Sequence, residues 1–101
     1  MEEKLILDTF KAYGCPLDTV RPGWWTIKYS SISVGERRIH AWRTVSNFRI
    51  RIDEIEKFDT FMGNPSSAAI GTVAEYIIPN GTSVKLIQEV VKKAVDVYRK
   101  V

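Results

Sequence analysis

The sequence predicts a single α+β domain over residues 1–101, with the element order α-β-β-β-α-β-α and a four-stranded, mainly antiparallel sheet carrying its helices on one face. Three observations carry that prediction. Apolar residues recur at helical spacing at both ends of the chain, whereas between Trp24 and Asp53 the period is two. Short turn signals divide that middle stretch, so consecutive strands become antiparallel neighbours. The composition, 45% apolar and 27% charged, belongs to a folded chain long enough to bury a core without metal or disulfide support.

Residues 2 to 13 form the first expected helix. Leu5, Ile6, Phe10 and Tyr13 fall on one side of it, and Lys4, Asp8 and Lys11 on the other. Gly14 and Pro16 stop it. In WTIKYSSISV, Trp25, Ile27 and Tyr29 alternate with Thr26, Lys28 and Ser30, and a slip of phase before Ile32 points to a bulge at Ser30-Ser31. Only one of Trp24 and Trp25 can face inward.

Gly35-Glu36 makes a turn into RRIHAWRTV, with Ile39, Ala41 and Val45 inward and Arg38, His40, Trp42 and Thr44 outward. Arg43 then falls on the inward face and Trp42 on the outward one, against the usual burial preference; a one-residue slip would bury Trp42 and scatter the cations. Ser46-Asn47 turns the chain into FRIRI, with Phe48, Ile50 and Ile52 inward. Asp53 and Glu56 have the spacing of a capping box, so a short helix is expected over 53–62, apolar at Ile55, Phe58, Phe61 and Met62. NPSSAAIGT reads as a loop and VAEYIIP as the fourth strand. Thr82 or Ser83 caps a last helix whose apolar side runs from Val84 and Leu86 through Ile87, Val91 and Val95 to Val101.

The meander ending in FRIRID, the segment EKFDTFMG, the strand EYIIP and a closing helix with small residues such as Ala94 together resemble the TfoX N-terminal domain and the related YjbR/MmcQ group of small α+β proteins. The chain carries RPGWW where such domains have a Met-Phe-Gly-Gly type motif. What the resemblance implies is a DNA-associated or regulatory role without catalytic residues.

Charge is unevenly spread. Residues 21 to 51 hold seven cations (Arg21, Lys28, Arg37, Arg38, Arg43, Arg49, Arg51) against Glu36, a local balance of +6. Lys28, Arg38, Arg49 and Arg51 are the candidate contacts to nucleic-acid phosphates, DNA or RNA. His40 and Trp42 are the candidates for adjacent hydrogen bonding and stacking. The competing structural reading is a solvated sheet face whose arginine stems cover backbone. A homodimer or protein partner using the sheet face or edge is the alternative function.

Chemistry beyond binding finds little support. A lone His40 has no second metal ligand, and nothing in the sequence brings Cys15 to His40 as a thiolate dyad, so no catalytic residue, metal or cofactor is expected. Asp53, Glu54 and Glu56 are explained by a helix start. A single cysteine, an acidic start and no apolar run of bilayer length point to a cytoplasmic protein without membrane contact.

Overall fold

A computed structural model describes residues 2–27, 37–59 and 65–99. Helix α1 (Glu2–Ala12) leads into β1 (Leu17–Arg21), β2 (Trp24–Ile27), β3 (Arg37–Arg43), β4 (Asn47–Asp59) and β5 (Pro65–Pro79), and α2 (Val84–Arg99) closes the chain. The five strands form one antiparallel meander in the order β1-β2-β3-β4-β5. The α+β class matches the expectation; the strand count and the middle of the element order do not.

The core lies between one sheet face and the two helices. Trp25, Ile39, Ala41, Phe48, Ile50, Ile52 and Ile78 pack there against Ile6 and Phe10 of α1 and Ile87, Val91, Ala94 and Val95 of α2. Trp25, not Trp24, turns inward and stacks on Phe48 with 5.4 Å between ring centres. Cys15 belongs to this core, and burial pushes its thiol up to about 11. Gly14, at φ 75°, ends α1 in the left-handed conformation, and Arg99 donates to the Tyr13 carbonyl beside it at 2.6 Å. Ser83 caps α2, its hydroxyl accepting from the Leu86 amide.

Three expectations are corrected. First, LDTVR is a strand, making five instead of four: Pro22 presets the turn and Gly23, at φ 85°, completes it, so β1 pairs back onto β2. Secondly, Asp53 starts no helix: β4 runs on to Asp59, and from Pro65 the stretch read as a loop is the first half of β5. The two strands are paired from Asn47↔Pro79 to Asp59↔Pro65, with register shifts at Ile52/Asp53 and Glu54/Ile55. Long-range pairing outweighs a local capping signal here. Thirdly, Val45 is fully exposed: β3 stops at Arg43, and Thr44 and Asn47 close the turn through their own hydrogen bonds. Val84 and Leu86 are likewise exposed on the first turn of α2. The expected bulge at Ser30-Ser31, the turn at Gly35-Glu36, and Phe61 and Met62 lie outside the described residues, as does Lys28.

Candidate functional site

Period-two alternation sends Ile39 and Ala41 into the core, so Arg38, His40 and Trp42 must point the other way. Cross-strand register then assembles a face. Trp24 lies opposite Trp42, Thr26 opposite His40, His40 opposite Arg51, Trp42 opposite Arg49, and Arg38 opposite Asp53. On β5, Glu75 and Ile77 lie opposite Arg51 and Arg49. Because α1 and α2 both pack on the core side, no helix among the described residues lies on this face.

Its centre is a row of three rings. His40 is nearly parallel to Trp42, 5.8 Å away at 16°, and to Trp24, 6.5 Å away at 26°. A guanidinium lies over each indole: Arg21 is 5.0 Å from the Trp24 ring centre and Arg51 is 4.9 Å from that of Trp42. The row is therefore a ladder of flat cationic and aromatic surfaces, built from side chains that neighbour one another along β3 and across strands.

Asp53 anchors it. Only 1% exposed, its carboxylate accepts from Arg51 Nε at 3.1 Å and from the Thr72 hydroxyl at 3.0 Å, and it lies 3.8 Å from His40 Nε2. Asp53 thus serves a sheet site and not a helix cap. Burial pushes the His40 pKa below the ordinary imidazole value; the Asp53 carboxylate pulls it upward, and Arg51 and Arg38 push it down again. Among the described residues, His40 Nδ1 and Trp24 Nε1 are buried without a hydrogen-bond partner.

The face is less cationic than the sequence implies. Arg49 is ion-paired with Glu75 and Arg51 with Asp53. Arg37 turns away to donate to the Val97 carbonyl of α2 at 2.6 Å, and Arg43 reaches Glu3 of α1. Of the expected contacts, Arg38, His40, Trp42, Arg49 and Arg51 come together. Arg21, Trp24, Thr72, Asp53 and Glu75 join them unforeseen. The RPGWW turn was the available signal for Arg21 and Trp24; nothing local in the sequence pairs Glu75 with Arg49.

Among the described residues no group of three His, Cys, Asp or Glu could hold a metal ion, and no helix is long and apolar enough to cross a membrane. No protein-family model, curated protein or solved structure matches the chain, so the reading of this face rests on its own geometry.

Proposed function

We propose that the chain is a non-enzymatic module that binds single-stranded nucleic acid on the sheet face opposite α1 and α2. The observation that carries this reading is the row Trp24–His40–Trp42, overlaid by Arg21 and Arg51 on the face turned away from α1 and α2. Unpaired bases stack on indole and guanidinium planes alike, and arginines at the margin meet the phosphates between them. Duplex offers no exposed base plane, so the rings favour single strands. With Asp53 and Glu75 neutralising part of the charge, stacking contributes more here than net charge does. Arg38 and Arg49, with Lys28, take the phosphate role; a regulatory role of the TfoX type would act through such binding.

Anisotropy titrations of labelled single- and double-stranded oligonucleotides at several salt concentrations test this. Single strands bind more tightly than duplex, and affinity falls with salt. Replacing Arg38 and Arg49 with glutamine flattens the log–log slope by about 0.7 for each phosphate that is no longer neutralised. Trp42→Ala weakens binding by about 1–3 kcal/mol for a stacked base. Affinity indifferent to salt and to Trp42 would remove the reading.

A second reading, association through a sheet edge with another copy, is supported by β5. Its fifteen residues have β4 as their only sheet neighbour among the described residues.

A further inference from the structure

Resting on the single-strand reading, we propose that the cleft between Trp42 and the β4–β5 pair takes an unpaired guanine base. In this arrangement Arg51 donates to O6 and N7, and Glu75 accepts from N1–H and the 2-amino group.

The cleft has a volume of about 450 Å³ and is lined by Trp42, Arg43, Thr44, Arg49, Arg51 and Glu75. Arg51 is unusually well held for a side chain with over a third of its surface in solvent. Its Nε is committed to Asp53, its plane rests over Trp42, and Asp53 is itself fixed by Thr72. With Nε engaged by Asp53, the two Nη groups are the adjacent donor pair left to a ligand. That pair matches two adjacent acceptors in one plane. A fixed guanidinium loses less side-chain freedom on binding than a mobile one, which favours selective contact with a base edge over diffuse contact with phosphate.

The second half of the match is a carboxylate at the right place. Glu75 is the cross-strand partner of Arg51, so the two side chains stand side by side on the same face. One Glu75 oxygen, Oε1, takes Arg49, leaving Oε2 as an acceptor. Donor fork and carboxylate thus adjoin across one cleft, with an indole as wall.

Guanine shows this polarity in reverse: acceptors at O6 and N7, donors at N1 and the 2-amino group. Cytosine, turned over, offers O2 and N3 to the fork but only one amine hydrogen to the carboxylate. Adenine (N7 and the 6-amine) and thymine or uracil (O4 and N3–H) each offer one acceptor and one donor. The arrangement therefore ranks guanine first, cytosine next, and adenine, thymine and uracil last. It gives Arg51 a role the sequence did not indicate, reading a base where a phosphate contact was expected.

The test uses the full chain and labelled ten-nucleotide thymine strands carrying two central guanines, adenines or cytosines, or none. Guanine strands are expected to bind roughly tenfold more tightly than all-thymine ones, the lower end of a bidentate contact's discrimination. Replacing guanine with 7-deazaguanine, which lacks the N7 acceptor, should bring the affinity back toward thymine without altering the protein. In Glu75→Gln the guanine-to-thymine ratio should fall toward one. Ribose and deoxyribose versions of each strand identify the backbone that presents the base, and the guanine preference is expected in the tighter-binding form. Equal affinity for guanine and thymine strands overturns the proposal, as does a guanine preference that survives both 7-deazaguanine and Glu75→Gln. In either case salt-dependent binding of all-thymine strands leaves the single-strand reading standing, whereas failure to bind any strand ends both.

Discussion

His40 concentrates the physics of the open face in one side chain. It lies between two indoles, close to a buried carboxylate and near two guanidinium groups, and burial dominates the balance by favouring the neutral ring. The native pKa therefore sits below the unfolded value of about 6.5. Between those two values the unfolded chain takes up a proton that the native chain refuses. Stability should fall as pH drops through about 6.5, level off once the native ring is also protonated, and show no contribution from His40 above that window. Urea midpoints measured from pH 5 to 8 check this, with His40→Gln expected to lose that part of the slope. An identical slope in the variant would assign it to other groups. Asp53 shows why such a site is hard to foresee. Its immediate neighbours spell a helix start, while the residues that use it, Arg51 and Thr72, come from its own strand and from one nineteen positions away.

At the level of the element, local pattern was informative wherever it agreed with burial on one side. Helix α2 illustrates both its success and its limit. Ile87, Val91, Ala94 and Val95 are buried as helical spacing requires, yet Leu86, equally apolar, is 52% exposed, lying about 100° round the helix from Ile87 and off the centre of that stripe. Ile87→Ala should cost about 2–5 kcal/mol by urea denaturation, since it opens a cavity in the core. Leu86→Ala should stay within about 0.5 kcal/mol. Comparable losses at the two positions would mean that the helix docks differently. The alternation in β3 was also readable, and it correctly turned Trp42 and His40 outward. The lower halves of β4 and β5 were not. PSSAAIG is poor in strand-forming side chains, and IEKF shows a helical spacing too short to decide anything. Those segments become strands because each supplies the other's hydrogen bonds, a fact that resides in neither alone. The same holds for the site: Arg38, His40, Trp42, Arg49 and Arg51 were legible from period two, whereas Asp53 and Glu75 entered only through the pairing of β4 with β5.

For the molecule as a whole, the sheet is lopsided. Strand β1 has five residues and β5 fifteen, which at roughly 3.3 Å per residue spans about 50 Å. This accounts for the long axis of 47 Å against 27 and 22 Å, and for a radius of gyration of 14.1 Å, above the roughly 13 Å usual at this length. One long boundary of the sheet therefore has β4 on its inner side only, among the described residues. Charge usually blunts such an edge, but Pro65–Pro79 carries Glu75 as its sole charged residue, and Val73 and Ile77 are exposed along it. A second copy could continue the sheet antiparallel, β5 to β5, about a two-fold axis near the strand midpoint at Thr72. Glu75 would then avoid its own counterpart, and the two open faces would merge into one surface. Sedimentation equilibrium across micromolar concentrations should show a monomer–dimer equilibrium, and the double change Val73→Lys, Ile77→Lys should shift it to monomer by placing charge along the edge. Single-strand affinity should drop with dimer dissociation if both faces engage one strand, because the second contact then loses its effective concentration. A chain that sediments as a monomer throughout would confine binding to one face and leave β5 protected by its terminal prolines and its register shifts alone.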